Sequence, residues 1–350
     1  MTRDWNLHDF TFELPDSQIA QEPPHVRGQS RLMVIDPRTQ TRSHSMVSEL
    51  INWVEPGTLM VFNDTKVRKA RVFGHTETGG KVELILLRPL PEGSWECLLS
   101  RSKKLRGGQR LNLPGGVKAQ VMSDAGAVRP VIFEPGIDDE WLTEHGHLPL
   151  PPYIKRPDTA EDEARYQTVY AQDSGSAAAP TAGLHFTDLQ LQSLQKNTVE
   201  MAFLTLEVGL GTFLPVRTQK VSEHKMHHEE YRISAASAAQ LNRARAEGRP
   251  ILAVGTTSLR TLEAAWTPEG YCEGPGSTNL FITPGYQFRG IDQLFTNFHT
   301  PESTLLMLVC AFAGRDFLLE SYRQAVLHQY RFFSYGDAML IRTKGDQADV

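Results

Sequence analysis

The stretch Ala178–Thr187, Ala-Ala-Pro-Thr-Ala-Gly-Leu-His-Phe-Thr, concentrates more potential chemistry than any other part of the chain. Pro180 fixes one backbone angle and Gly183 frees another, so the segment reads as a shaped loop. Thr181 adds a hydroxyl, and His185 and Phe186 bring a group that titrates near neutrality beside an aromatic face. Thr187-Asp188-Leu189-Gln190 then has the pattern of a capping box and predicts a helix start with open backbone N–H donors. A ligand loop ending in an acid–base histidine has this composition. So does an ordinary loop whose histidine bonds a neighbour.

Other groups stand at predicted strand ends. Gly255-Thr256-Thr257-Ser258-Leu259-Arg260 follows an apolar strand and opens a helix, the place where α/β folds bind ligands. Thr256 and Thr257 could hold a carboxylate or ribose there, with Arg260 one turn on; the same residues also make a plain helix cap and a structural arginine. Val208-Gly209-Leu210-Gly211-Thr212-Phe213 also follows a strand, but Leu214 replaces the third glycine of a dinucleotide loop. Gly209 can still admit close backbone approach, and Glu207 could meet a ribose diol or a cation. Asp64 and Lys66 flank Thr65 at a strand end and could line a cleft as further catalytic candidates; an Asx-turn is the simpler use of that sequence. Asn297-Phe298-His299 precedes Pro301 and an apolar helix. His224-Lys225-Met226-His227-His228-Glu229-Glu230 invites a metal reading, yet it is not His-Glu-x-x-His and has no distant partner of familiar spacing, so no metal is expected. There is no Gly-x-Ser-x-Gly and no Walker loop.

The elements that must position these groups form a recognisable order. Arg31–Asp36 and Thr58–Asn63 read as strands, with helical spacing over Met46–Val54 between them. From residue 69 to 151 the texture changes. Short runs (Val82–Leu87, Trp95–Leu99, Val117–Met122, Val131–Phe133) are separated by Gly-Gly, Pro-Glu-Gly and Pro-Gly-Gly, which predicts a small barrel. Pro149-Leu150-Pro151-Pro152 closes that section. Then come a helix over Thr187–Lys196, a strand over Glu200–Val208 and a helix over Ser234–Glu247. A strand at Pro250–Val254, helices from Thr256, over Leu305–Ala313 and over Arg315–Gln329, and a last strand at Ala338–Ile341 complete the chain. The expected architecture is an α/β domain of two segments, 1–68 and 152–350, with a mixed sheet, interrupted by an inserted β-barrel at 69–151.

Composition narrows the class. The 350 residues are 40% apolar and can bury a core without staples. Cys97, Cys272 and Cys310 are scattered, which favours a reducing cytoplasm over a disulfide framework. The first residues, Met-Thr-Arg-Asp-Trp, lack the apolar run of a signal peptide, and Leu305–Ala313 is too short to span a bilayer. Net charge is −5, but eleven Lys/Arg against four Glu between Lys66 and Arg110 give that stretch +7 and leave −12 elsewhere. The sharpest cluster holds Arg101, Lys103, Lys104, Arg106 and Arg110, a footprint for a polyanion or a solvated hairpin.

The loop at 178–187 resembles the signature of the S-adenosylmethionine:tRNA ribosyltransferase-isomerases of the queuosine pathway. Similar segments run in the expected order from Phe12-Glu13-Leu14-Pro15 through Val61–Thr65, Pro151–Ile154, Val208–Phe213 and His224–His227. They continue through Gly255–Ser258, Pro284-Gly285-Tyr286 and Thr296–His299 to Phe332–Met339. The resemblance implies an α/β domain with an inserted barrel and no metal. It implies transfer of the ribosyl unit of S-adenosylmethionine to 7-aminomethyl-7-deazaguanine at the tRNA wobble position. The ribosyl unit is isomerised to give epoxyqueuosine, and adenine and methionine leave. S-adenosylmethionine would be a consumed substrate, no cofactor would be needed, and the chain would act as a cytoplasmic monomer away from membranes.

That chemistry assigns expected roles. His185 is the first choice for proton transfer. Phe186, Tyr286 and Glu207 are candidates to face the sulfonium. Thr256 and Thr257 would hold the methionine carboxylate; Thr181, Gly209, Arg260 and His299 complete the expected substrate site. The basic cluster would meet the anticodon arm. Two positions depart from the family pattern: Gly28 where Asp is usual, and Glu302 where Lys is common. A methyltransferase using the same substrate would show a Gly-rich loop after its first strand, whereas Arg31–Asp36 runs into Pro37-Arg38. A non-catalytic RNA-binding protein would need no small-molecule pocket.

Overall fold

The computed structural model describes residues 4–100, 102–124, 126–209, 216 and 218–343. Its main sheet has nine strands. In spatial order they are Gly274–Thr278, Glu229–Ile233, Glu200–Leu206, Leu59–Asn63, Ile251–Val254, Gln293–Asn297, Ala338–Ile341, Arg31–Asp36 and Thr41–Met46. Glu200–Leu206, Leu59–Asn63, Ile251–Val254 and Gln293–Asn297 are mutually parallel, and antiparallel pairings at Gln293–Asn297/Ala338–Ile341 and toward both edges make the sheet mixed.

Leu59–Asn63, Ile251–Val254 and Gln293–Asn297 are buried at every residue because both faces are covered. Leu59, Val61, Ile251 and Ala253 point to one core, under the helices Ala235–Ala246, Thr256–Ala265, Thr304–Ala313 and Arg315–Leu327. Met60, Phe62, Leu252 and Val254 point to the other, with Val47, Leu50 and Leu194 from the short helix Val47–Asn52 and the helix Asp188–Lys196. Each fully buried large side chain contributes about 1.5–3 kcal/mol. Met46–Val54 turns out as a six-residue 3-10 helix. The edge strands Thr41–Met46 and Gly274–Thr278 carry almost no apolar residues; backbone pairing alone recruits them.

The insertion closes as a six-stranded antiparallel barrel in the order Val128–Glu134, Ser94–Leu99, Lys81–Pro89, Arg71–Thr76, Arg110–Asn112, Lys118–Val121. Val82, Leu84 and Leu86 alternate inward along one strand and meet Val72, Leu111, Val131 and Phe133. The helix Asp139–His145, capped by Asp138, packs Leu142 on this core. The chain then returns over Pro149–Pro152 to the α/β domain.

Candidate active site

Beyond the carboxyl ends of the parallel strands lies a cavity of about 480 Å³, within the range of about 300–1,000 Å³ usual for small-molecule sites. Four of the sequence candidates, Thr181, Thr256, Thr257 and His299, line it. Two ten-residue helices, Thr256–Ala265 and Thr304–Ala313, begin on its wall. The first N–H groups of a helix have no partner within it, so these two ends favour an anionic group. Ser303 caps the second helix by accepting from the Leu306 N–H at 3.1 Å. The first helix has no side-chain cap. Among the described residues the buried hydroxyl of Thr257 has no partner.

His185 stands one layer behind this wall. It ends the 3-10 helix Thr181–His185 and is 4% exposed. Its Nδ1 lies 2.9 Å from Ser30 Oγ, and its Nε2 accepts from Asn297 Nδ2 at 2.9 Å. Thr181 Oγ1 donates to Asn297 Oδ1 at 3.1 Å. Burial, with Arg331 and Arg27 adding to it, pushes the His185 pKa down to about 3, so the ring is neutral at ordinary pH. Gly183 does not need an unusual angle. A side chain there would run into the Tyr170 hydroxyl, so the glycine serves close packing. The helix start at Thr187 is closed by its own capping box with Gln190 and is not part of the cavity wall.

His299 lines the cavity with its Nε2 3.0 Å from Thr296 Oγ1, and its backbone N–H donates to the Tyr322 hydroxyl. Burial lowers its pKa to about 3 as well. Tyr153 and Phe333 supply the aromatic faces of the wall, ring centres 4.5 Å apart, and the Tyr153 hydroxyl bonds Ser334. Burial raises the Tyr153 phenol to about 12.

The remaining candidates lie elsewhere. Phe186 is packed in the core between Phe62 and Phe295, with no face left for a ligand. Arg260 is buried in an ion pair with Glu229 and donates to the Leu280 carbonyl. Tyr286 donates to Glu263, which also holds the N–H groups of Arg289, Gly290 and Ile291. Asp64 is buried beside the sheet, accepting from Thr205 Oγ1 at 2.8 Å; burial, with Asp173 adding to it, raises its pKa. Lys66 is exposed on a short strand paired with Asp173–Ser176. Glu207 is exposed next to cavity-lining Val208, and Gly209 follows; Leu210–Phe213 fall outside the described residues. His224 packs edge-on against Phe281. Among the described residues no three His, Cys, Asp or Glu side chains gather as a metal site. Nor is any helix among them long and apolar enough to cross a membrane.

Sequence reasoning assigned no site role to Asn297, Tyr153, Phe333 or Ser334. All four sit inside segments that carry the family resemblance, and that was the available signal.

The Queuosine biosynthesis protein family matches residues 7–341. The S-adenosylmethionine:tRNA ribosyltransferase-isomerase of Trichlorobacter lovleyi is 49% identical over 96% of this chain and 99% of its own length. The protein of the same description from Treponema denticola is 46% identical over 95% and 99%. The chain belongs to the S-adenosylmethionine:tRNA ribosyltransferase-isomerase family. A crystal structure described as S-adenosylmethionine tRNA ribosyltransferase from Thermotoga maritima covers 95% of this chain and 99% of its own, at 37% identity and a TM-score of 0.55. An enzyme of this family therefore has the α/β-plus-barrel architecture described above.

The two departures from the ribosyltransferase-isomerase pattern have local explanations. Gly28 adopts φ +88°, and a Cβ there would lie 2.8 Å from Gln190 Nε2, so Gly is the residue that fits. Glu302 lines the cavity at φ +57° and pairs at 3.3 Å with exposed His8. On the barrel, Lys103, Lys104, Arg106 and Arg110 are exposed and make no ion pair among the described residues; Arg101 lies outside them. Buried Arg129 anchors the loop that carries them, donating to the carbonyls of Ser102, Leu105, Ser123 and Gly126.

Proposed function

We propose that this enzyme transfers the ribosyl moiety of S-adenosylmethionine to 7-aminomethyl-7-deazaguanine in the anticodon arm of tRNA and isomerises it, giving epoxyqueuosine with release of adenine and methionine. The observation that carries this reading is a cavity sized for a small molecule, bounded by two helix N-termini and by aromatic rings. An α-carboxylate suits the open N–H groups at Thr256 and Thr257. A sulfonium suits the faces of Tyr153 and Phe333. S-adenosylmethionine carries both groups and enters as a substrate; no resident cofactor or metal is part of the proposal.

The two histidines nearest the cavity are both poor bases, because burial holds them neutral far below pH 7. The proton lost from the carbon beside the sulfonium is therefore assigned to the departing adenine, with His299 bordering the path. The nucleophilic amine must arrive neutral, and approach near the uncapped helix end at Thr256 favours its uncharged form. Residues 69–151 form the tRNA-contacting domain in this reading, through Arg101, Lys103, Lys104, Arg106 and Arg110. The enzyme works as a monomer in the cytoplasm.

Incubation with S-adenosylmethionine and tRNA bearing the aminomethyl precursor tests the reading. Free adenine should appear only when both are present. S-adenosylhomocysteine would identify a methyltransferase, and binding without any product would identify a non-catalytic RNA-binding protein.

A further inference from the structure

Behind the cavity, four polar side chains are bonded in a line whose direction is fixed. Asn297 Nδ2 donates to the Phe333 carbonyl at 3.2 Å, and a carbonyl oxygen only accepts, so the amide nitrogen points that way. The second amide proton goes to His185 Nε2 at 2.9 Å, which must be the bare nitrogen. The ring proton then sits on Nδ1 and is accepted by Ser30 Oγ at 2.9 Å. At the other end, Asn297 Oδ1 accepts the single proton of Thr181 at 3.1 Å.

We propose that this line makes Thr181 an obligatory hydrogen-bond acceptor in the cavity, selecting a substrate group with an O–H or N–H donor, and that His185 acts as a positioning residue through Asn297. The inference deepens the substrate reading above and rests on it. Ser30 is 1% exposed and Asn297 2%, so the line lies inside the protein and the Phe333 carbonyl fixes its direction. A protonated His185 would set Nε2–H against the Asn297 N–H, two donors face to face. The lowered pKa of the ring agrees with its neutrality. Thr181 is part-exposed on the cavity wall, and with its proton committed inward only lone pairs remain for a ligand.

The donor could belong to S-adenosylmethionine, through a ribose hydroxyl or its ammonium, or to the amine of the tRNA base. Thr181→Val keeps the shape and removes the acceptor. Calorimetry on the full chain should show S-adenosylmethionine binding weakened about tenfold if the donor is on that substrate; otherwise the tRNA KM should rise about tenfold. Thr181→Ser should restore either loss. Unchanged binding and unchanged KM in Thr181→Val would overturn the proposal.

A second measurement does not depend on turnover. Nitrogen-15 NMR of the His185 ring should show the Nδ1–H tautomer throughout about pH 5.5–8.5. His185→Gln, whose amide oxygen can accept from Asn297, should keep the pH profile of kcat, while His185→Leu raises KM. Titration of His185 in that range, or a lost limb of the pH profile in His185→Gln, would make it an acid–base group and overturn the proposal in an active enzyme. A wild-type chain that neither binds nor consumes S-adenosylmethionine contradicts the substrate reading instead.

Discussion

Tyr335 donates its phenolic proton to Asp162 at 2.7 Å, and Asp162 grips Arg156 through both carboxylate oxygens. This joins the segment returning from the barrel to the C-terminal loop whose Phe333 and Ser334 wall the cavity. Burial alone would push the Asp162 carboxyl up, but Arg156, Tyr335 and Thr159 outweigh it and hold its pKa at about 2.

Asp162→Ala should therefore cost about 3 kcal/mol, because it leaves Arg156 without its partner. Urea denaturation at pH 7 measures this. The variant should also raise the KM for S-adenosylmethionine more than it lowers kcat, since the wall is displaced and no reacting group is removed. Unchanged stability would show that the clamp is idle.

Acid should destabilise the fold through His185 and His299. Their folded pKa values, about 3, lie below the ordinary value of 6.5. The unfolded chain thus binds more protons between those limits, and stability present above pH 6.5 is lost as pH falls. Each ring should contribute about 2 kcal/mol of loss between pH 6.5 and 5. Denaturation midpoints across that range should fall steeply in the wild type and less steeply in His299→Gln.

The order of the core elements was legible because their apolar runs announce themselves. Leu59–Phe62 and Ile251–Val254 are continuous, and Thr304–Ala313 is apolar between a serine cap and a glycine. Barrel strands Arg71–Thr76 and Arg110–Asn112 were not legible; one carries Gly74 and an exposed Phe73, and the other has three residues. Thr181, Thr256, Thr257 and His299 were legible as candidates because each stands at the start or end of a regular element. The depth of His185 and Phe186 was not, since burial behind a strand end is set by Ser30 and Phe295, 155 and 109 positions away in the chain. Arg129 was invisible for the same reason: its four carbonyl partners come from two loops that only barrel closure brings together.

The basic loop should govern tRNA affinity. Replacing Arg101, Lys103, Lys104 and Arg106 by Ala should weaken tRNA binding and leave S-adenosylmethionine binding alone. The slope of log K against log salt should become shallower by about 0.7 for each lost phosphate contact. Arg129→Met should produce part of the same loss without touching an exposed charge, because the carbonyls it gathers are released. An unchanged slope in the quadruple variant would make this loop a solvated hairpin.

Glu302 places a carboxylate beside the start of Thr304–Ala313, against an end that favours anions. Glu302→Lys should lower the tRNA KM several-fold at low salt and lose that gain at high salt, as a screened charge effect does. A KM that stays the same in both conditions would show that no phosphate approaches this rim.

The most direct measurement is the fate of label in S-adenosylmethionine. With one label in the ribosyl carbons and another in the methyl group, reaction with tRNA carrying the aminomethyl precursor should place the ribosyl label in the tRNA. The methyl label should leave with methionine, and adenine should appear in equal amount to the ribosyl label transferred. Methyl label in the tRNA, with S-adenosylhomocysteine as the product, would contradict the account.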